Sequence, residues 1–263
     1  MYKIIYKRQI FDSLNNKKYY ELSDNFKKFV KYMYPRIREN DLILCQNKNG
    51  SKIDFTISVN NIYKNVSVKK GDTIFVYKDR ILNFVLFLLS INVSKECILA
   101  LLSYHYADGT YDGSGPFVNS FGQLLSIDYE KQIEIVEEEF KNKKLLAKVI
   151  DFILLCEKSG KKVDYFYFGD CRKGCFASAD IVKNNILNEE NNYKHKFMRI
   201  GVMNFLPLKR EIVRFDKSDY LKHFCVLKLN FKRYMKKSGM LPWLFKLFLV
   251  QSLLLQHVQS LRY

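Results

Sequence analysis

Apolar residues recur at Leu22, Phe26, Phe29, Val30 and Met33, a helical period, with Ser23 or Asp24 able to cap the start and Pro35 able to stop the run. The pattern then changes. Three strand-like runs, 41–46, 52–59 and 62–69, are separated by Asn47-Lys48-Asn49-Gly50 and by Asn60-Asn61, residues that tolerate the positive φ of tight turns. This predicts a helix leading into an antiparallel meander. Residues 74–103 are richly apolar with a break near 92–94, which predicts two helices, the second ending before a loop over 106–116 rich in Asp-Gly and Gly-Pro. Further on, 128–157 reads as one or two helices with Glu137, Glu138 and Glu139 on a solvated face. Residues 163–169 read as a strand, 178–187 as a helix, and 199–206 and 223–229 as strands.

No linker or repeat divides these pieces. The expected fold is mixed α/β, a small mixed sheet flanked by helices with a C-terminal elaboration. One domain is expected over 1–240, followed at 241–263 by an apolar helix packed on the domain or on a partner. The most apolar stretch, LPWLFKLFLVQSLLL at 241–255, is interrupted by Lys246 and Gln251 and is shorter than the roughly 20 residues of a membrane span. No transmembrane span is expected, and peripheral membrane contact stays open.

The hairpin is where chemistry can gather. A two-residue turn at Asn60-Asn61 fixes the register: Val59 faces Ile62, Ile57 faces Lys64, Phe55 faces Val66 and Ile53 faces Val68. On the polar face Asp54 then lies opposite Ser67, with Lys69 as its diagonal neighbour. A carboxylate that holds a divalent ion against a phosphate, beside a lysine that orients water or offsets developing charge, is what metal-dependent phosphodiester cleavage uses. An acid and a lysine on the wet face of a hairpin are also ordinary cross-strand partners.

The spacing of Ile53-Asp54 and Ser67-Val68-Lys69 resembles the PD-(D/E)xK nucleases, whose first acid sits on one strand of a hairpin and whose second acid and lysine sit on the next. A wider succession is similar to bacterial restriction-endonuclease-like proteins over about 41–236. It comprises Val68-Lys-Lys-Gly71, a helix, the 105–115 loop, Val163-Asp-Tyr-Phe-Tyr-Phe-Gly-Asp170 and Phe205-Leu-Pro-Leu-Lys-Arg210. The resemblance implies a restriction-endonuclease-like core and a Mg²⁺- or Mn²⁺-dependent DNA endonuclease, with Asp54 as metal ligand, Lys69 as the charged helper and Glu39 as an additional acid. Ser67 stands where the motif carries Asp, Glu or Gln, a weak substitute at a metal. Asp72 or Asp79 would have to supply the missing oxygen, or the protein is a non-catalytic nucleic-acid-binding or inhibitory accessory protein of a bacterial or phage defence system.

Charge supports a polyanionic partner. The 263 residues carry 44 Lys and Arg against 27 Asp and Glu, a formal charge of +17, which favours nucleic acid or an anionic membrane through counterion release and steering. The 18 Tyr and 21 Phe suit base stacking as well as core packing, although AT-rich coding enriches Lys, Asn, Tyr, Phe and Ile without any function. DNA is the expected partner, with a homodimer or a defence-complex partner as further expectations. Lys70, Lys209, Arg210, Arg214, Lys232 and Arg233 are the expected phosphate contacts.

Six scattered cysteines and an N-terminus without a signal-peptide pattern predict a reducing, cytoplasmic location. Cys171 and Cys175 are the one close pair, with no second pair at zinc-ligand spacing. Asp108 and Asp112 read as turn formers rather than Ca²⁺ ligands. His105 reads as structural, since no Ser or Cys nucleophile motif accompanies it.

Overall fold

In the computed structural model, which describes residues 2–48, 52–71, 74–115, 129–157, 159–189, 197–207 and 222–236, the chain opens on helix α1 (Tyr2–Leu14). A short strand β1 (Lys17–Lys18) and a single 3₁₀ turn lead to helix α2 (Asp24–Met33). Phe26, Phe29, Val30 and Met33 fall on the buried side of α2, Asp24 complements the dipole in its first turn, and Pro35 follows its end. The predicted meander follows as β2 (Leu42–Asn47), β3 (Phe55–Val59) and β4 (Ile62–Lys69), paired antiparallel. Its turn is set by Asn60 and Asn61 at φ 48° and 63°, the left-handed pair a two-residue hairpin needs. The register has Val59 on Ile62, Ile57 on Lys64 and Phe55 on Val66, as the alternation predicts.

Residues 74–80, expected to begin a helix, form a strand instead, β5 (Ile74–Arg80), and only then do α3 (Ile81–Ser90) and α4 (Lys95–Tyr106) follow, with the predicted break between them. Isoleucine, phenylalanine, valine and tyrosine in β5 suit a pleated surface, and the partner that decides the matter lies some 150 residues away. Helices α5 (Glu130–Glu139) and α6 (Lys143–Ile150) run into a π-helical turn (Asp151–Leu155). Then come β6 (Tyr165–Gly169), β7 (Gly174–Ser178) and α7 (Ala179–Leu187). The last described elements are β8 (Arg199–Ile200), β9 (Met203–Pro207), β10 (Phe224–Leu229) and α8 (Phe231–Lys236). The strand expected over 199–206 is thus a hairpin, turned at Gly201 with φ 57°. The apolar helix expected at 241–263 lies outside the described residues.

Two sheets result. The larger runs β1-β2-β3-β4-β6-β7, antiparallel throughout except for the parallel β4–β6 pair, and the smaller runs β5-β10-β9-β8. Alternation sends the two faces of the large sheet into different cores. Phe55, Val66, Val68, Tyr167 and Phe176 pack against α1 and α2 through Ile10, Leu14, Phe26 and Phe29. Phe166 and Ala177 face the other way, into a core shared with α3–α8 and the small sheet. The architecture is therefore mixed α/β, a mixed sheet flanked by helices.

Candidate functional site

The β3–β4 ladder is regular from Val59 back to Phe55 and then breaks. The Asp54 N–H reaches Val66 O at 2.9 Å instead of its register partner, and the Val68 N–H, one step beyond, donates to Asp54 Oδ2 at 2.6 Å. The carboxylate thus takes the place of the next strand carbonyl. Its other oxygen, Oδ1, carries the ammonium of Lys7, an ion pair from α1. Lys7 stands one helical turn before Phe11, whose ring meets Phe55 edge-on at 6.4 Å, so it arrives from the α1 face. Asp54 is only 8% exposed, and a buried carboxylate is tolerable when charge and hydrogen bonds compensate it.

Lys70, just past β4, lies 5.6 Å from the Tyr6 ring centroid and 3.6 Å from Asp170 Oδ2. Burial and then the Asp54 charge push the Tyr6 hydroxyl up to about 12. Asp170 opens the β6–β7 turn, where its Oδ1 accepts the N–H groups of Arg172 and Lys173 at 3.0 and 3.1 Å. Those N–H bonds, Lys173 first, with Lys70 behind them, hold the Asp170 carboxyl below its ordinary range. The turn depends on Gly169: its φ is 135°, and an added Cβ would fall 2.3 Å from Lys173 O. Parallel pairing of Lys69 with Phe168 brings this turn beside the end of β4. Lys7, Lys69, Lys70, Arg172 and Lys173 therefore gather at one end of the sheet with two acids, Asp54 and Asp170.

The other expected residues scatter. Ser67 is fully buried, and its Oγ has no hydrogen-bond partner among the described residues. Alternation puts Ser67 and Lys69 on the face that carries Phe166 and Phe168, opposite the face from which Lys7 reaches Asp54. Glu39 sits in an exposed turn ahead of β2, beside Tyr19, at the far end of the sheet. The stretch of β2 from Asn47 to Leu42 alone separates it from Asp54 by about 16 Å. Asp79 belongs to the small sheet, where β5 pairs with β10, and its Oδ1 accepts from Arg80 N at 2.7 Å and Asn83 Nδ2 at 3.0 Å at the start of α3. It does not join Asp54. Asp72 lies outside the described residues.

The basic last third divides as well. Arg233 pairs with Glu189, Lys232 is half-buried on α8, Lys228 covers the Phe75 ring at 5.0 Å, and Lys209, Arg210 and Arg214 lie outside the described residues. His105 is buried with its Nε2 at 2.9 Å from Lys222 O. Asp108 accepts N–H groups from Thr110 and Gly115, the turn its sequence predicts.

A Mg²⁺ ion needs near-octahedral oxygens, and protein sites supply one or two carboxylates for it. Among the described residues no group of three or more His, Cys, Asp and Glu is placed to hold a metal. Asp54, the one buried carboxylate among the described residues, has both oxygens engaged, and Ser67 offers a neutral hydroxyl on the other face. The donor set as it stands does not fit a divalent ion.

No family model and no curated protein matches this chain. Among solved structures it is similar to restriction endonuclease MspI in complex with its cognate DNA, at 13% sequence identity and a TM-score of 0.49, over 86% of this chain and 88% of that one. No described helix is long and apolar enough to cross a membrane.

Lys7 and Asp170 escaped the sequence reading. Lys7 is one of 44 basic residues, and nothing local marks it. Asp170 had a faint signal, an acid directly after a strand and a glycine.

Proposed function

We propose that the chain is a nucleic-acid-binding protein that engages a phosphodiester at the β4–β6 end of the large sheet without hydrolysing it. The observation that carries this reading is the Lys7–Asp54 pair: an ammonium occupies the carboxylate that a metal would need. Lys70, Arg172 and Lys173 stand at the same end of the sheet, Lys70 about half exposed and Arg172 and Lys173 exposed, so all three are open to a phosphate. Backbone contacts of this kind position a duplex and are sequence-independent. The overall charge of +17 adds long-range attraction that weakens as salt rises.

A Mg²⁺-dependent DNA endonuclease is the second reading, favoured by the Val68 N–H bond that holds the Asp54 carboxylate against the end of β4. It requires Lys7 to leave Asp54 and an oxygen donor to replace it. Fluorescence anisotropy on labelled duplex DNA, run across a salt series in EDTA and again in Mg²⁺ or Mn²⁺, separates the two. The binding reading expects steep salt dependence, equal affinity with and without the metal, and intact DNA. Cleavage that appears with metal and disappears in Asp54→Ala would replace it with the endonuclease reading.

A further inference from the structure

Helix α3 is apolar except at Asn83 and Ser90, which share one narrow exposed strip. Ile81, Phe84, Val85 and Leu88 are buried against the large core, while Leu82, Leu86 and Leu89 are 56%, 65% and 50% exposed. Their spacing of four and three residues lines them up as one stripe. A contiguous row of exposed leucines on a helix marks an interaction face, so this stripe is a face in need of a partner.

A second apolar element in the same chain also needs cover. Residues 241–255, LPWLFKLFLVQSLLL, carry a single charge, Lys246, and begin four residues after the end of α8. We propose that segment 241–255 docks on the Leu82-Leu86-Leu89 stripe of α3 in its own chain.

Area and tether choose this occupant over a second copy. Three half-exposed leucines bury roughly 300 Å² at most, well below the ~800 Å² per partner of a stable interface. A separate molecule would lose translational and rotational freedom for that small gain, whereas a tethered segment meets the stripe at high effective concentration. The reach is sufficient. Strand β10 lies beside β5 in the small sheet and passes into α8 through Asn230, while β5 passes directly into α3. The α8 and α3 ends of that pair are one strand length apart, about 24 Å; the four residues 237–240 extend to about 14 Å and a fifteen-residue helix adds about 22 Å, so the far half of the segment reaches the stripe.

Photo-crosslinking tests the proposal in the full chain. With p-benzoylphenylalanine in place of the exposed Leu86, irradiation followed by peptide mapping should yield adducts within 241–255 of the same molecule, at a yield independent of dilution. Adducts joining two chains would assign the stripe to a second copy and overturn the proposal, as would adducts elsewhere or none. Hydrogen exchange gives an independent reading: Leu82→Glu combined with Leu86→Glu should speed amide exchange across 241–255 by about tenfold or more. Unchanged exchange there, with the exchange of α4 and β6 also unchanged, would sink the idea without any question of misfolding.

Discussion

The two ends of the large sheet share strands and a register and yet are built from opposite materials. At the hairpin end, Asn60 and Asn61 close a regular ladder over a cavity of about 240 Å³ lined by Met33, Tyr34, Ile37, Val59 and Ile62. The polar link there is one hydroxyl, with Tyr34 donating to Ile57 O at 2.8 Å. At the other end the ladder fails at Asp54, and a side chain does the work of a backbone carbonyl while holding a lysine. The contrast shows where a sheet becomes chemically available: where its own hydrogen bonding runs out and charged groups must complete it.

Breaking that completion should have the largest effect. Asp54→Ala leaves the buried Val68 N–H without its acceptor and Lys7 without its counter-ion. The expected loss is about 2–3 kcal/mol, mostly from the N–H because Lys7 is more than a third exposed. Urea unfolding measures it, and a loss below 0.5 kcal/mol would deny Asp54 this structural part. Next in size, Lys70→Ala with Arg172→Ala should weaken duplex binding by about tenfold at physiological salt and lower the salt slope by about 2, while Glu39→Ala at the far end leaves both unchanged. An equal response to Glu39→Ala would erase the distinction between the ends.

At the hairpin end, Tyr34→Phe removes one buried hydrogen bond and should cost about 1 kcal/mol in the same unfolding experiment, leaving DNA binding intact. The smallest effect is expected at Ser67. Because its buried hydroxyl has no hydrogen-bond partner among the described residues, Ser67→Val should be neutral or stabilise by up to about 1 kcal/mol. A loss of 2 kcal/mol or more would mean that the hydroxyl has a polar neighbour.

The hairpin was legible because its information is local: Asn60-Asn61 fixes the turn, and a period of two fixes which residues pair. Helix α2 was legible for the same reason, with four apolar positions, an acid at its start and a proline after its end. Strand β5 was not, since Ile74-Phe75-Val76-Tyr77 suits either a buried helix or a strand until β10 supplies a partner. The Asp54 site was half legible. The turn fixed the register as far as Phe55 and Val66, but the expected pairing of Asp54 with Ser67 and Ile53 with Val68 gives way to the ladder break, and the arrival of Lys7 depends on how α1 packs through Ile10 and Leu14 on the sheet, a tertiary fact with no local pattern. The distance of Glu39 from Asp54 follows from strand direction: a residue just ahead of β2 lies at the Leu42 end, whereas Asp54 lies beside the Asn47 end.

The β4–β6 pair is parallel, and a parallel pair can close only after the chain between its strands, here nearly a hundred residues from Lys69 to Tyr165, has been wound over one face. Such long-range closures tend to come late in folding. Asp170 and the Arg172-Lys173 turn can reach Lys70 only once that closure is made. The end proposed to meet phosphate is thus withheld from a growing or half-folded chain, which cannot bring these residues together before the core beneath them is complete.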